Sequence, residues 1–309
     1  MVSRLTSALE ALPDRKGSPS AEQLEAFSGL GQEGLRRFQE AWQGLEPACR
    51  RRFIVNLAEA AQDDAQLDFD GIFRLCLSDP DPEVRVQAIE ALWENRDRSL
   101  FRPLMDLLHD ASPEVRATAA ASLSRYVDLL ELGELPSPKG EALKAALMGL
   151  VKDDKEAVEV RRRALESIAG LEQEDVRELI ALAYRAPERQ LRVSAIYAMG
   201  RNLADSWQPM ILAELHSAEP EFRYEAARAA GEMGLEGAVP RLIHLTKDPD
   251  RQVQLAAIWS LGQIGGEEAK GTLRACAEGA DADRRDAAEE ALAEIAFREN
   301  PLNPLPNIA

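Results

Sequence analysis

The side chains best suited to metal or acid-base chemistry are three histidines, and they are scattered singly along the chain. They are His109, His216 and His244, and none of them begins a His-Glu-x-x-His motif. The chain also contains no phosphate-binding loop and no Gly-x-Ser-x-Gly turn. These patterns predict no catalytic, cofactor-binding or metal-binding residues.

Thiol chemistry is equally unsupported, because three cysteines are an odd number and lie far apart. Cys49, Cys76 and Cys276 form no Cys-x-x-Cys spacing, and we interpret them as small apolar side chains in a reducing compartment. No stretch approaches the roughly 18 apolar residues of a membrane span, and the first residues lack the apolar run of a signal peptide. We therefore expect a cytoplasmic protein that does not associate with a membrane.

The charge of the chain bears on the class of its partners. Its 309 residues include 54 acidic and 37 basic ones, for a net charge of -17. A nucleic-acid partner needs a cationic face, so this balance argues against one. Hydrophobic residues make up 45% and aromatic residues only 5%, and such apolar content, rich in alanine and leucine, favours helices packed on helices.

A repeating pattern organises most of the chain. Anchor positions recur 31 residues apart, with one interval of 45 residues, at Val84, Val115, Val160, Leu191, Phe222, Val253 and Arg284. Alanine stands four residues after every anchor, and another apolar residue stands eight residues after it. This spacing is typical of one buried helix stripe, and the recurring alanine indicates that another helix passes close by.

Each repeat also contains an earlier helix and a polar break. Breaks such as those around Pro82 and Pro113 end the first helix and begin the second. Glycines at 200, 231–234 and 262–266 are predicted to close second helices in left-handed conformations. Hairpins of about 31 residues bury their stripes only against neighbours, so the pattern predicts an all-α solenoid.

The D-x-x-x-x-V-R-x-x-A-x-x-A-L pattern resembles the HEAT-repeat family, particularly the short form known from phycobilisome lyases. The resemblance covers roughly residues 66–296. It implies a superhelix of stacked hairpins and a structural ladder of aspartate and arginine, here Asp79, Arg85, Asp110, Arg116, Arg161, Arg192, Arg223, Asp248 and Arg285. Because Lys155, Ala186 and Ser217 occupy the acidic position in other repeats, we expect the ladder to be partial.

The domain boundaries follow from the repeat. We predict a flexible N-terminus over 1–19, a helical cap over 20–66 with a degenerate repeat anchored at Cys49, and about seven hairpins over 67–296. The long interval places an insertion near 127–140, expected to be an extended surface loop that follows a lengthened second helix and is either flexible or in contact with a partner. The Pro-rich tail over 297–309 is either disordered or a strap over the last repeat. The length would suit two domains, but the period favours one continuous array.

The resemblance also raises enzymatic alternatives. Deoxyhypusine hydroxylase has HEAT-like repeats with iron ligands in His-Glu pairs, and none of the three histidines here begins such a pair. DNA-repair glycosylases with HEAT-like repeats need a cationic face, which the net charge disfavours. Phycobilisome lyases imply the handling of a bilin. The sequence favours a non-catalytic function and leaves this enzymatic one open.

In HEAT solenoids the second helices line the concave surface. We expect the residues two and six positions after the anchors to line this surface. In the middle and later repeats they form an aromatic, apolar and cationic group, to which Arg163 is added as the neighbour of Arg162: Arg162, Arg163, Val193, Tyr197, Tyr224, Arg228, Leu255 and Trp259. Aromatic and arginine side chains within an acidic rim are typical of a protein-binding hot spot. The alternative is that these residues fill gaps between adjacent helices. We predict a scaffold that binds an extended protein segment, with a bilin lyase-like protein as the alternative.

Overall fold

The computed structural model describes residues 2–11, 19–95 and 97–299, with side chains from residue 4 onward. Within these ranges every regular element is a helix, which confirms the predicted all-α solenoid class. No helix among these residues combines the length and the apolarity that crossing a bilayer requires.

The chain divides into two compact units. The first unit comprises Met1–Ala146 and Lys155–Ser167, and the second comprises Leu147–Asp154 and Ile168–Ala309. We describe each unit by itself.

The first unit opens with four helices: α1 (Val2–Glu10), α2 (Ala21–Phe27), α3 (Gln32–Gln43) and α4 (Pro47–Asp63). The rings of Phe27, Phe38 and Phe53 pack together with centroids 5.3–6.3 Å apart, and they form the core of the predicted cap. Aromatic side chains bury more area than alanine or leucine, which suits a segment outside the regular repeat.

The flexible N-terminus that the sequence predicted is instead helical over Val2–Glu10. Leu5, Ala8 and Leu9 are buried, and Arg37 of α3 donates a hydrogen bond of 2.7 Å to the hydroxyl of Thr6. Amphipathic spacing of these apolar residues allows the helix to pack against its neighbours. Residues 12–18 of the same segment lie outside the described residues.

The first unit continues with α5 (Asp70–Cys76), α6 (Pro82–Ala91), α7 (Phe101–Leu107), α8 (Pro113–Ser122) and α9 (Ser124–Glu131). The next two helices, α10 (Ser137–Lys152) and α11 (Val158–Ile168), have residues in both units. Helices α4, α6 and α8 pack side by side in succession, as second helices of a solenoid do.

The insertion near 127–140 is mainly helical, whereas the sequence predicted a lengthened second helix followed by an extended loop. Helix α9 occupies its first part, and α10 already begins at Ser137. Tyr126 and Val127 are buried, and the ring of Tyr126 meets that of Phe101 edge to face at 5.2 Å. The proline at 138 lies in the first turn of α10, where a missing N–H has no cost.

The second unit contains α12 (Glu174–Tyr184), α13 (Arg189–Asn202), α14 (Gln208–Glu214), α15 (Pro220–Glu232), α16 (Val239–Leu245), α17 (Arg251–Ile264), α18 (Glu267–Ala277) and α19 (Ala282–Glu299). The second helices α13, α15, α17 and α19 pack side by side. Helix α19 includes residues 297–299, so the first part of the predicted tail is helical. Residues 300–309 lie outside the described residues.

The recurring alanines lie where the helices are most crowded. All seven have no exposed surface: Ala88, Ala119, Ala164, Ala195, Ala226, Ala257 and Ala288. Six of the anchors are buried as well, and Arg284, the exception, is half-buried. The stripe inferred from sequence spacing is therefore the core of each hairpin.

Close approach of second helices explains glycines that the sequence assigned to left-handed caps. Gly200, Gly231 and Gly262 lie inside helices, and a Cβ on Gly200 would stand 2.8 Å from the Cα of Ala229. Only hydrogen fits at this distance. The left-handed prediction holds for the next glycines along, such as Gly234 with φ of 60°.

Candidate functional site

Six of the eight side chains predicted to line a binding surface come together in the second unit. They belong to α13, α15 and α17, and we call their surface the aromatic face: Val193, Tyr197, Tyr224, Arg228, Leu255 and Trp259. Tyr197 has 39% of its surface exposed, and the other five are half-buried. These side chains therefore fill space beside the helices and still have surface exposed to solvent.

Tyr224 stands at the centre of the aromatic face, where it lines three adjoining hollows. It shares the first hollow with Tyr197, the second with Val193, and the third with Leu255 and Trp259. Because one ring borders all three hollows, the aromatic face is a continuous surface across three second helices.

Arg228 is held on the aromatic face by two neighbours. Its guanidinium carbon lies 3.7 Å from the centroid of the Trp259 ring, close enough for a cation–π interaction. One of its terminal nitrogens also lies 3.6 Å from a carboxylate oxygen of Glu232. The stack covers one side of the indole and fixes the position of a positive charge.

Carboxylates surround the aromatic face. The hollows are lined by seven of them: Glu221, Glu225, Glu232, Asp250, Asp283, Asp286 and Glu290. Arg189 pairs with Glu221, and Arg251 pairs with Asp283. Arg201 and Arg228 are the basic residues among the lining residues, so carboxylates outnumber basic side chains there.

Arg162 and Arg163 belong to the first unit and are not among the residues that line the three hollows of the aromatic face. Both pair with acids of their own helix, Arg162 with Glu159 at 2.8 Å and Arg163 with Glu159 at 2.9 Å and Glu166 at 3.1 Å. Neighbouring carboxylates already compensate their charges.

The first unit has a surface of its own that sequence analysis missed. We call it the Trp93 hollow: Ile89, Glu90, Trp93, Glu114, Ala117, Thr118, Ala121, Ser122, Glu159 and Arg163. Trp93 follows α6 and has 55% of its surface exposed. It stands nine residues after its anchor, where α13, α15 and α17 of the second unit have glycine. This difference in residue type was the signal that could have revealed the hollow.

The predicted ladder links successive hairpins of the first unit. Arg85 donates to the backbone carbonyl of Asp79 at 2.7 Å and to the carboxylate of Asp110 at 2.6 Å. Arg116 donates to the carbonyl of Asp110 at 2.7 Å and makes two bonds, of 2.6 and 2.8 Å, to Glu156. The sequence pattern did not predict Glu156 as a ladder residue, because it stands one position after Lys155, which occupies the expected acidic position of that repeat.

The second unit repeats this geometry around Asp248. Arg223 donates to both oxygens of that carboxylate at 2.7 and 2.8 Å, and to the backbone carbonyl of Ser217 at 2.9 Å. Burial opposes the charge of Asp248, but the bonds from Arg223 and from the amide of Asp250 outweigh it and hold the pKa of Asp248 below its usual value.

Two predicted ladder arginines have other environments, whereas Arg161 is buried like Arg223, with 6% of its surface exposed. Arg192 lies over the ring of Phe222 at 5.0 Å from its centroid. The side chain of Arg285 is 41% exposed and lies 4.0 Å from Asp286, its neighbour in sequence. The ladder is therefore partial. It does not extend to Arg285 in the last helix, α19.

The ladder begins earlier than the predicted set, in the cap. Arg50, the residue after Cys49, lies 3.3 Å from a carboxylate oxygen of Asp79, and it donates to the carbonyl of Leu45 at 3.2 Å. The indole of Trp42 donates to the same carboxylate at 2.6 Å. Arg50 of α4 thus contacts an aspartate of the next hairpin and a backbone carbonyl, as the ladder arginines of later second helices do.

The histidines and cysteines lie apart from one another in the described part of the chain. His109, His216 and His244 are exposed and lie at or just after the ends of α7, α14 and α16. Among these residues no cluster of three histidine, cysteine or acidic side chains could hold a metal ion. The three cysteines are unpaired thiols, and Cys76 and Cys276 are buried.

Comparison with solved structures places this geometry in a known class. The chain is similar to yeast importin-beta, with 12% identity and a TM-score of 0.57 over 95% of this chain and 46% of that one. It is similar to YibA of E. coli, with 16% identity and a TM-score of 0.51 over 80% and 87% of the two chains. The CpcE–CpcF complex of phycocyanin lyase from a Nostoc species gives 18% identity and a TM-score of 0.48 over 67% and 81%. The likenesses to importin-beta and YibA show the fold alone.

The sequence comparison is more specific. No curated protein sequence matches the chain at a significant level. The family model for HEAT repeats matches residues 70–158 and 209–293, which together exceed half of the chain. The chain therefore belongs to the HEAT-repeat family.

Proposed function

We propose that this protein is a non-catalytic scaffold whose aromatic face binds an extended segment of a partner protein. The observation that carries this proposal is the run of partly exposed aromatic and apolar side chains across α13, α15 and α17. Yeast importin-beta, which has a similar fold, forms a complex with Nup1. HEAT solenoids are thus compatible with binding protein partners.

The chemistry of the aromatic face indicates what the segment carries. Apolar side chains would pack beside Tyr197 and Trp259, while lysine or arginine would meet the surrounding carboxylates. Rim charges of this kind mainly raise the association rate, and that contribution falls as salt is added. We therefore expect association to slow with ionic strength more than dissociation accelerates.

Binding can be tested by comparing captured partners for four forms of the chain. These are the wild type, Tyr197→Ala, Trp259→Ala and Leu182→Ala, the last being a control at a side chain 56% exposed on first helix α12. Partners retained by the control and lost by the two aromatic variants support the proposal, provided that circular dichroism shows intact helices. Identical partner sets for all four forms would remove it.

A bilin is the alternative ligand, and the stacked Arg228 and Trp259 are the contacts that favour it. A bilin carries propionate groups, however, and the carboxylates lining the hollows outnumber the arginines there. Like charges at a binding surface disfavour association. A visible absorbance shift on mixing the chain with phycocyanobilin would favour this alternative, and an unchanged spectrum would end it.

A further inference from the structure

The Trp93 hollow of the first unit is a second candidate surface, built from residues that the aromatic face does not use. It encloses about 370 Å³, within the range of sites that hold organic groups. Trp93 forms its wall, and small side chains of α8, Ala117 and Ala121, lie beside it. An exposed indole next to such small residues leaves room for an incoming apolar side chain.

The indole is carried on a well-anchored turn. Arg125 of α9 donates from one nitrogen to the backbone carbonyls of Leu92, Trp93 and Asn95 at 2.8, 2.8 and 3.0 Å. Its other terminal nitrogen donates to the hydroxyl of Ser122 at 2.9 Å. The backbone after α6 is thus tied to the inserted helix while the Trp93 side chain stays exposed, a pre-organised arrangement that lowers the cost of binding.

Equivalent positions of the repeat carry side chains of different size in α8 and α17. Positions two and six after the anchor carry Ala117 and Ala121 in α8, whereas they carry Leu255 and Trp259 in α17. Bulky side chains at these positions build up the aromatic face. Alanine at the same positions leaves the space in front of Trp93 open.

The charges around the Trp93 hollow select the partner. Glu90, Glu114 and Glu159 line it, and the single lining base, Arg163, is already paired with Glu159. A hydrogen bond from the Ser112 hydroxyl lowers the pKa of Glu114, so the hydrogen bond favours the charged form of this carboxylate. A second copy of this chain, itself at -17, would add more negative charge.

We propose that the Trp93 hollow binds a protein segment in which one apolar side chain is flanked by lysine or arginine. The apolar side chain packs between Trp93 and Ala121, and the flanking cations meet Glu90 and Glu114. This inference does not depend on the aromatic face, because it involves other residues on the other unit.

The test follows each tryptophan separately by fluorine NMR of the chain labelled with 5-fluorotryptophan. The four indoles are Trp42, Trp93, Trp207 and Trp259, and their resonances are assigned with single Trp→Phe variants. The probe is a synthetic decapeptide with a central phenylalanine between two pairs of lysines. Control peptides replace the lysines with glutamates or the phenylalanine with serine.

The Trp93 resonance is expected to shift saturably with the lysine–phenylalanine peptide and with neither control peptide. Covering this much of an indole contributes a factor of roughly 10–100 to affinity. Ala121→Phe, which fills the hollow, should weaken binding at least about tenfold. Leu132→Ala, at an exposed side chain of the same unit outside the hollow, should leave it unchanged.

Any of three results would overturn the inference. The Trp93 resonance does not shift saturably at millimolar peptide, the glutamate peptide binds as tightly as the lysine peptide, or a folded Ala121→Phe chain binds the lysine peptide as tightly as the wild type. If Ala121→Phe does not fold, the double variant Glu90→Gln and Glu114→Gln takes its place and should weaken the lysine peptide. A shift of Trp259 alone would support the aromatic face and reject the Trp93 hollow.

Discussion

Gly200→Ala is expected to destabilise the second unit, although alanine is the better helix former. The new Cβ would lie 2.8 Å from the Cα and 2.9 Å from the Cβ of Ala229 in the neighbouring second helix. Carbon atoms in unstrained contact are about 3.5–4.0 Å apart. Because the atom met first belongs to the backbone and cannot rotate away, α13 and α15 must separate by several tenths of an ångström.

Two opposing effects set the magnitude. Replacing glycine by alanine inside a helix contributes about 1 kcal/mol of stability. Overpacking a close interface costs typically about 1–3 kcal/mol. The clash at position 200 is with backbone, so we take the upper end of that range and expect a net loss of about 2 kcal/mol.

The matched control is Gly271→Ala in α18, where a Cβ would meet no atom within 4 Å. Without a clash, the propensity effect should act alone and raise the free energy of unfolding by up to about 1 kcal/mol. Urea titrations followed by circular dichroism give both differences, and hydrogen exchange shows whether protection in α13 and α15 falls. A Gly200→Ala chain as stable as the Gly271→Ala chain would refute the close packing of second helices.

Three further predictions concern buried polar groups. Arg223→Ala removes the arginine that pairs with the buried carboxylate of Asp248, and it should lower the free energy of unfolding by about 3–5 kcal/mol. The control is Arg251→Ala, which removes exposed ion pairs and should shift the urea midpoint far less. Because the pKa of Asp248 is lower in the folded than in the unfolded chain, its stabilisation is present above the unfolded value of about 3.9 and is lost as pH falls through the folded value. Asp248→Asn should therefore reduce the acid dependence of the urea midpoint, and an unchanged dependence would contradict this assignment. Burial raises the pKa of the Cys76 thiol, so Cys76 should react slowly with a thiol reagent in the native chain, whereas half-buried Cys49 should react faster. Equally fast labelling of both cysteines would contradict the packing around α5.

The periodic part of the fold was predictable because its physics is local. Anchors 31 residues apart, each followed by alanine four residues later, fix both the helix face that is buried and the spacing of the hairpins. The positions two and six after the anchor could be placed on a shared surface for the same reason. The spacing alone therefore predicts that Tyr197, Tyr224 and Trp259 share one surface.

Irregular segments were less predictable because their conformation depends on distant contacts. Proline and glycine near 136–140 suggest a loop, yet burial of Tyr126 against Phe101 accompanies an additional helix there. The first residues likewise form α1 where packing against α3 is available. Composition alone carries no information on such partners.

The sequence by itself determined that this protein is a HEAT-type stack of helices with an acidic surface, since helix periodicity and charge depend on residue types at fixed spacing. Only the tertiary structure decided which charges are compensated, because side chains far apart in sequence must meet for that. It paired Arg116 with Glu156, kept Arg162 and Arg163 with their own acids, and exposed Trp93 beside the small residues of α8. The same three-dimensional packing determined which glycines relieve a turn and which, like Gly200, let two helices approach.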